Sequence, residues 1–171
     1  MRLSELIKEY CLNELQDEKT KSWLDQKLHS IKTDQDFFIS FALINKKIPR
    51  DHLQLSPAQI QTIHLKYPEF NIENWTLDQL CRFSLLMYYS LLSVKSLTKL
   101  ISVADTREQI SIFKSITYLE NASHFTPIVV NGIRTNIVDI FDAIALKNLF
   151  AASYFSQDEW NQMILKAVFM E

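Results

Sequence analysis

The chain contains a single glycine, Gly132, and four prolines in 171 residues. Average usage of these two residues is roughly 7% and 5%, so few positions favour loops or left-handed backbone. Phosphate-binding loops and dinucleotide-binding turns need several glycines, which let backbone amides approach the anion. A nucleophile elbow needs glycine on both sides of its serine. The scarcity of glycine therefore predicts long helices joined by short connections, and it argues against the usual nucleotide-dependent and serine-hydrolase chemistry.

Length and charge narrow the classes of protein further. Apolar residues make up 47% of the chain, charged residues 22%, and the formal net charge is -2. A chain of this length can bury a core without metals or disulfides, so we predict a single domain, residues 1–171. The near-neutral charge gives no electrostatic signal for binding to nucleic acid or to an anionic membrane surface.

Cysteine usage and hydropathy bear on the compartment. Cys11 and Cys81 lie far apart in the sequence, each within a helical pattern, and we expect both to be buried, reduced thiols in a cytoplasmic protein. Charged residues interrupt the N-terminal segment, which therefore lacks the apolar core of a signal peptide. The longest largely apolar run, 83–94, is shorter than the roughly 20 residues needed to cross a bilayer. We therefore expect a soluble protein.

Apolar residues recur at helical spacing along the whole chain. This predicts an all-α protein of about seven to eight helices, arranged as a compact multi-helix bundle or as a short α–α superhelical stack of the HEAT type. We expect an N-terminal helical sub-bundle at 3–48 and a main helical core at 56–169. Segment 80–94 is apolar almost all round, which is typical of a central helix covered on most sides. The last helix is expected to bury Trp160, Ile164, Ala167 and Val168. Helix-start signals, in which a polar cap is followed by proline or by the second half of a capping box, occur at Ser56-Pro57, Thr76–Gln79, Asp105–Glu108 and Ser156–Glu159.

The segment Thr126–Asn148 is predicted to form one long amphipathic helix. Its apolar residues fall on one side of a helical wheel and its polar residues on the other. Thr126 suits the N-cap, Pro127 the first helical position, and Asn148 the left-handed residue that ends a helix. The alternative is a β-hairpin, because β-branched residues flank Asn131-Gly132, a common turn sequence. We favour the helix because the helical spacing continues beyond this turn signal, and we expect an aromatic-rich loop at 149–155.

The sequence contains no recognisable set of catalytic or metal-binding residues. The four histidines have no His, Cys or Glu partner at a spacing that places two ligands on one helical face, so we expect no metal and no cofactor. We interpret Asp25 and His29, four residues apart, as a solvated pair. Asp139 and Asp142 share a helix face, and paired carboxylates divide acid and base roles when burial separates their pKa values. They lie opposite the apolar stripe, which favours a solvated face, so we name no catalytic residue.

Arg134 is the strongest candidate for a binding residue. It lies at the shoulder of the apolar face, where a charge is costly unless it is paired. One interpretation is a structural ion pair with Asp105 or Glu108; the other is a contact with an anion or carboxylate in a pocket, which suits the planar guanidinium group. Polar and aromatic residues nearby are further candidates for ligand binding, although each also suits a cap, a surface position or the core. With Arg134, these candidates are Asn136, Asn148, Tyr154, Trp160 and Asn161.

Several motifs resemble those of the EboA family. In the C-terminal third they are Gly132-Ile133-Arg134-Thr135-Asn136, Phe141–Asn148, Tyr154-Phe155 and Trp160–Phe169; earlier ones are Ser22-Trp23-Leu24, Asp36-Phe37-Phe38, Trp75–Gln79 and Ala104–Glu108. The resemblance spans nearly the whole chain. One departure is Leu149–Ala152, where a proline-containing link is expected.

The resemblance implies a role in delivering secondary-metabolite precursors to the periplasm, beside a membrane prenyltransferase-like protein and a TatD-like metal hydrolase encoded in the same bacterial gene clusters. It carries over no catalytic residue. Our first hypothesis is a non-enzymatic accessory protein that docks to a protein partner, the prenyltransferase-like protein, and reaches the membrane only through it. The second is a binding protein for an apolar, prenyl or aromatic small molecule, with its pocket between the long helix and the last one and Arg134 as polar anchor. The third, with least support, is an enzyme of unknown reaction.

Overall fold

Helices make up nearly all of the regular secondary structure in the computed structural model, which describes residues 2–170. Within that range the chain forms eleven α-helices and no β-strand, although His52 and Thr76 form an isolated β-bridge. The all-α prediction is confirmed, whereas the predicted number of seven to eight helices is too low. The predicted long helix is in fact two helices, and the predicted loop at 149–155 contains another. The helices are α1 (Leu3–Glu14), α2 (Glu18–Ser30), α3 (Asp34–Lys47), α4 (Pro57–Lys66), α5 (Leu77–Tyr88), α6 (Val94–Val103), α7 (Thr106–Ile116), α8 (Thr126–Gly132), α9 (Val138–Ala145), α10 (Phe150–Tyr154) and α11 (Gln157–Phe169).

The chain divides into two units, one ending at Leu91 and the other beginning at Leu92. In the first unit, α5 is the central helix and packs against α1, α2 and α3. Most of its residues are buried, as the apolar pattern predicts, but the helix ends at Tyr88 rather than at residue 94. The rings of Trp75 and Phe83 stack with centroids 5.3 Å apart, which fixes the entry to α5 against its own second turn.

One charged residue lies at the centre of this unit, where the sequence pattern indicated only apolar packing. Arg82 on α5 is 0% exposed. Its Nη1 donates to Asp78 Oδ2, one turn earlier, at 2.9 Å, and its Nη2 donates to Asn45 Oδ1 of α3 at 2.6 Å. The guanidinium carbon lies 5.5 Å from the centre of the Phe41 ring. Because a charge is costly to remove from water, these partners are what make the burial of Arg82 tolerable.

The two cysteines belong to the same unit, Cys11 on α1 and Cys81 on α5. Both are free and buried, which confirms the prediction of buried thiols. Burial, and then the neighbouring Cys11, raise the pKa of the Cys81 thiol well above its usual value. A thiol with a raised pKa holds little reactive thiolate near neutral pH, so this residue packs as a small apolar side chain.

In the second unit, α9 packs against α7, α8 and α10, and α6 packs against α7. The prediction of one long helix, Thr126–Asn148, is wrong, because α8 and α9 are separated by a turn at 133–137. Thr126 is the first helical residue rather than the N-cap, and its hydroxyl donates to Ser123 O at 2.8 Å. The left-handed residue that follows α9 is Lys147, with φ 53°, rather than Asn148.

Gly132 is the last residue of α8, where the predicted long helix is interrupted. A Cβ atom added to it would lie 2.7 Å from Phe113 Cζ on α7 and 2.8 Å from Ile144 Cδ1 on α9. In one continuous helix, Gly132 and Ile144 would be about 18 Å apart along the axis. The turn brings α9 back against α8, and the missing side chain permits the close approach. Apolar spacing alone does not separate one long helix from two shorter ones that bury the same stripe.

Four helices begin where the capping signals predict. In α7, Asp105 Oδ1 accepts from Glu108 N at 2.9 Å, and Glu108 Oε2 accepts from Asp105 N at 3.0 Å. The same reciprocal pairs start α4 and α11. At the start of α5, Gln79 Oε1 accepts from Thr76 N at 3.4 Å, while the Thr76 hydroxyl donates to Asp78 Oδ1 at 2.6 Å. These signals are local in sequence, and the structure preserves them.

The last helix, α11, buries less apolar surface than the sequence predicts. Met163 is its buried residue. Trp160 and Ala167 are half-buried, whereas Ile164 and Val168 are 48% and 64% exposed. The expectation that all four of these would be buried is wrong, because α11 covers the second unit along only one narrow stripe.

Candidate functional site

A cavity of about 640 Å³ lies among α6, α7, α8 and the start of α9. Small-molecule pockets typically have volumes of roughly 300–1,000 Å³ and largely apolar walls with a few polar groups. The apolar wall here includes Ile101 of α6, Phe113 of α7, Ile128 of α8 and Ile140 of α9. Among the described residues that line the cavity, Arg134 is the only one that carries a charge. The second unit therefore contains a space with the size and composition of a ligand site.

Hydrogen-bond acceptors line the α6 and α7 side of this cavity. Thr98 and Ser102 lie four residues apart on α6, and both donate their hydroxyl protons at 2.7 Å to carbonyl oxygens of their own helix. Each hydroxyl oxygen therefore offers only lone pairs. On α7, Gln109 Nε2 donates to Ala104 O at 3.0 Å. Because a carbonyl oxygen can only accept, the other end of the Gln109 amide is its oxygen, which is a further acceptor.

Hydrogen-bond donors come from α8 and the turn after it. Thr135 Oγ1 accepts from Ile137 N at 3.1 Å, so its own hydroxyl proton remains available. Asn131 supplies an amide NH₂ and Arg134 its guanidinium N–H groups. The Arg134 side chain is exposed although it lines the cavity, so it lies where the cavity meets solvent. No carboxylate forms a salt bridge with it among residues 2–170.

The single glycine also shapes the cavity wall. Gly132 lines the cavity and lies directly against the ring of Phe113, which forms another part of the wall. A side chain at position 132 would displace that ring, since its Cβ would fall 2.7 Å from Phe113 Cζ. The single glycine of the sequence is thus a packing residue of the candidate site.

A known protein family matches almost the whole chain. The model of the family described as "Metabolite traffic protein EboA" matches residues 3–171. The chain belongs to the EboA family. The resemblance carried by its motifs is therefore confirmed, and the family description fits a metabolite-related role. Searches of curated proteins and of solved structures returned no match.

This EboA-family chain has a second, smaller hollow of about 340 Å³ between α9 and α11. Phe141 and Met163 contribute to its apolar wall, and Trp160 and Asp142 also line it. The hollow lies where the sequence led us to expect a ligand pocket, between the end of the predicted long helix and the last helix. Arg134, the expected polar anchor, lines the larger cavity instead. The structure thus places Trp160 and Arg134 in different hollows.

Asn148, another predicted ligand-binding residue, holds two helices of this EboA-family fold together. Its Nδ2 donates to Ala143 O, near the end of α9, at 2.8 Å and to Phe113 O on α7 at 3.0 Å. Its Oδ1 accepts from Phe150 N at 3.0 Å, which starts α10. These bonds use both ends of the amide. Asn148 therefore has a structural role in positioning α7, the helix that carries Phe113 and Gln109.

The remaining polar candidates lie outside the larger cavity. Asn136 Oδ1 accepts from Lys166 Nζ at 2.7 Å, and Asn161 Oδ1 accepts from Gln157 Nε2 at 2.9 Å. Tyr154 is 38% exposed and packs against another ring of α10. None of these three lines either hollow described above. A ligand contact by any of them stays a prediction.

The acidic residues considered from the sequence have protein roles or are solvated. Asp105 and Glu108, the suggested partners of Arg134, form the capping box of α7. Asp139 is exposed, and Asp142 is half-buried beside the smaller hollow. The paired-carboxylate interpretation receives no support from this arrangement, since the two side chains differ in environment without sharing an enclosed site.

The Asp25–His29 pair lies on the surface of the first unit, with side chains 48% and 57% exposed. The closer partner of Asp25 is Lys8 of α1, whose Nζ lies 2.6 Å from Asp25 Oδ1, whereas His29 Nε2 is 3.9 Å away. The hydrogen bond from Lys8 lowers the pKa of Asp25.

Among residues 2–170, no group of three or more His, Cys, Asp or Glu side chains could hold a metal ion. In that same range, no helix is long and apolar enough to cross a membrane.

Sequence reasoning missed the polar residues that α6 and α7 contribute to the cavity. Leu97 and Leu100 form the buried stripe of α6, and Thr98 and Ser102 lie on the neighbouring face. Their four-residue spacing marks one helical face and is visible in the sequence. Gln109 likewise lies four residues before Phe113 on α7. Nothing local indicates that these faces enclose a space, since that depends on how α8 packs.

Proposed function

We propose that the chain binds a small, largely apolar metabolite in the cavity among α6, α7, α8 and α9, as its part in metabolite traffic. The observation that carries this proposal is a cavity of about 640 Å³ with an apolar wall and a few polar groups at its edges. Its volume and composition are typical of sites that enclose a small organic molecule. The family description, which concerns metabolites, supports the same conclusion.

Arg134 helps to choose between the hypotheses drawn from the sequence. For a small-molecule-binding protein we expect an apolar cavity beside a buried Arg134 that lacks a carboxylate partner; the cavity is present and no carboxylate forms a salt bridge with Arg134 among residues 2–170. Arg134 is exposed rather than buried, so its charge is hydrated and costs the fold little. A cation at the edge of an apolar cavity is better placed to contact an entering ligand than to pack in a core.

A neutral apolar dye tests this proposal. N-phenyl-1-naphthylamine becomes fluorescent when it leaves water for an apolar site, and we expect saturable binding to the wild-type chain. Thr98→Trp places an indole in the cavity, and because Thr98 is exposed on α6 the change does not disturb the core. The matched control is Val103→Trp, on the same helix but 72% exposed and outside the lining.

We expect Thr98→Trp to weaken dye binding about tenfold or more, which corresponds to roughly 1.4 kcal/mol, and Val103→Trp to change it less than about twofold. Far-UV circular dichroism and thermal unfolding would show that both variants are folded. Equal dye affinity in the two variants would mean that the dye binds elsewhere, and the cavity would lose its proposed role.

A second function is favoured by a separate feature, the exposed apolar face of α11. We propose that this face docks a protein partner. Leu165 and Phe169, one turn apart, are 59% and 83% exposed, and Ile164 and Val168 beside them are also exposed. Soluble monomers rarely leave a contiguous apolar patch on a helix, and such stripes are typical of helices that bind a groove in a partner. The partner suggested by the EboA resemblance is the membrane prenyltransferase-like protein, reached from the cytoplasmic side.

Purified prenyltransferase-like protein in detergent provides the test of docking. The double change Leu165→Ser with Phe169→Ser removes the two most exposed side chains of the face, and we expect it to weaken binding at least about tenfold. The matched control, Ile39→Ser with Leu65→Ser, removes two side chains of the first unit that are 52% and 77% exposed. If both double variants bind as the wild type does, the α11 face is not the docking surface.

A further inference from the structure

We propose that the metabolite bound in the cavity among α6, α7, α8 and α9 carries an anionic group, and that Arg134 is the residue that recognises it. This inference rests on the proposed function, since it names the chemical class of the ligand for the same cavity. It goes beyond that function because an apolar cavity by itself accepts neutral molecules equally well.

Among the described residues, the lining carries one positive charge and no negative charge. Arg134 is the only charged residue among the described residues of the lining, and no carboxylate pairs with it within residues 2–170. Its positive charge is therefore uncompensated at the edge of an apolar wall. The planar fork of a guanidinium group forms two parallel hydrogen bonds to a carboxylate or phosphate, which neither a neutral ligand nor water reproduces.

The turn that carries Arg134 is held in place by hydrogen bonds. Arg134 N donates to Asn131 O at 3.2 Å, and Thr135 N donates to Gly132 O at 3.1 Å. Ile137 N donates to Thr135 Oγ1 at 3.1 Å. The backbone on both sides of Arg134 is therefore ordered before a ligand arrives, which lowers the entropy lost on binding. The Asn131 amide at the end of α8 and the Thr135 hydroxyl in the turn are further donors.

The lining side chains of α6 and α7 present hydrogen-bond acceptors, whereas the segment with Arg134 presents donors. This difference sets the orientation of an anionic ligand in the cavity. Thr98 and Ser102 present only oxygen lone pairs, because their protons are donated to the helix backbone. Gln109 presents its amide oxygen, since its nitrogen donates to Ala104 O. An anionic group facing these three oxygens would be repelled. The segment 131–135, the end of α8 and the start of the turn, is therefore the part of the lining that suits an anion.

A matched pair of dyes tests the charge preference directly. 8-Anilinonaphthalene-1-sulfonate has the same aromatic body as N-phenyl-1-naphthylamine and adds one sulfonate group. The ratio of the two affinities reports the contribution of the negative charge while the apolar contribution cancels. We expect the wild-type chain to bind the sulfonate at least about fivefold more tightly than the neutral dye at low salt, with the preference shrinking as salt screens the charge.

Arg134→Gln is the decisive variant, because it removes the charge and keeps a long polar side chain. We expect it to reduce the affinity for the sulfonate dye about fivefold or more and to leave that for the neutral dye within about twofold. The matched control is Lys99→Gln, which removes one positive charge from an exposed position of α6 outside the lining. We expect Lys99→Gln to change neither affinity by more than about twofold.

The outcomes separate this inference from the proposed function. If Arg134→Gln leaves the ratio of the two affinities unchanged while Thr98→Trp abolishes both, the cavity binds ligands but the anion preference is wrong. The same conclusion follows if Lys99→Gln lowers the ratio as much as Arg134→Gln does, since the effect would then come from net charge. If Thr98→Trp affects neither dye, the proposed function itself fails.

Discussion

Replacing Asp78 is expected to destabilise the first unit strongly, because it leaves a buried charge without its counter-ion. Arg82 is 0% exposed and Asp78 4% exposed, and Arg82 Nη1 lies 2.9 Å from Asp78 Oδ2. In Asp78→Leu the nearest remaining partner of the guanidinium is the neutral oxygen of Asn45, at 2.6 Å. Breaking a buried ion pair from one side costs about 3–5 kcal/mol.

This loss is large relative to the stability of a typical domain, which is about 5–15 kcal/mol. With a denaturant slope of about 2 kcal/mol per molar urea, the unfolding midpoint should fall by roughly 1.5–2.5 M. The reporter is Trp75, which is buried and stacks on Phe83 of α5. A background with Trp23→Phe and Trp160→Phe leaves it as the only tryptophan, so its fluorescence reports on this unit.

Arg82→Met completes a double-mutant cycle. By itself it leaves the Asp78 carboxylate buried and unpaired, and we expect a loss similar to that of Asp78→Leu. The double variant should recover most of the stability, because two apolar side chains leave no unpaired charge. The control is Asp25→Asn, which breaks the 2.6 Å pair with Lys8 at the surface and should cost no more than about 1 kcal/mol.

Two results would refute this reasoning. One is a loss in Asp78→Leu no larger than that in Asp25→Asn. The other is a double variant, Asp78→Leu with Arg82→Met, whose loss equals the sum of the two single losses. Either result would show that an unpaired buried charge does not cause the loss of stability in the first unit.

Three further predictions concern other parts of the chain. Gly132→Ala should lower the free energy of unfolding by about 1–3 kcal/mol, because the added methyl group overlaps the Phe113 ring, and Phe113→Leu in the same chain should restore part of it in urea unfolding. Burial, and then a hydrogen bond to Asp34, raise the pKa of Tyr89 to about 12. The folded state thus holds this proton more tightly than the unfolded state, so the resulting stability is intact below about pH 10 and is lost as pH rises toward 12; absorbance titration of wild type against Tyr89→Phe checks it. The raised pKa and burial of Cys81 predict that neither cysteine reacts with a thiol reagent until the chain is unfolded, which thiol counting with and without guanidinium measures.

Each of these predictions has a clear contrary result. A Gly132→Ala chain as stable as the wild type would mean that α7 and α9 yield to the methyl group. If Tyr89→Phe removes an absorbance step near pH 10, the ordinary tyrosine value, then the pKa of Tyr89 is not raised in the wild type. Reaction of the native thiols at the rate seen in guanidinium would contradict the burial of Cys81.

The capping residues show what is predictable from the sequence and why. Asp105 and Glu108 begin α7 as predicted, because a capping box joins residues only three apart and needs no other part of the chain. Arg82 shows the opposite case. Its partner Asp78, four residues earlier, is visible in the sequence, but Asn45 lies 37 residues away, so the burial of the charge could not be foreseen.

The candidate site divides in the same way. Arg134 is a candidate binding residue from the sequence, because a cation beside an apolar stripe is unusual. The sequence predicts its pocket against the last helix, because it treats 126–148 as one helix, whereas in the structure Arg134 lines the cavity among α6, α7, α8 and α9. With the turn after Gly132, Arg134 lines the same cavity as Thr98, Ser102 and Gln109 of α6 and α7.

The amino-acid sequence by itself determined an all-helical protein of the EboA family, since helical periodicity, capping boxes and family motifs are all read along the chain. Tertiary structure alone decided that the long helix breaks at Gly132, that Arg82 is buried with its partners, and that a cavity opens beside Arg134. The physical reason is range: caps and periodicity depend on residues within about one or two turns, whereas helix breaks, buried charges and cavities depend on contacts between helices far apart in sequence.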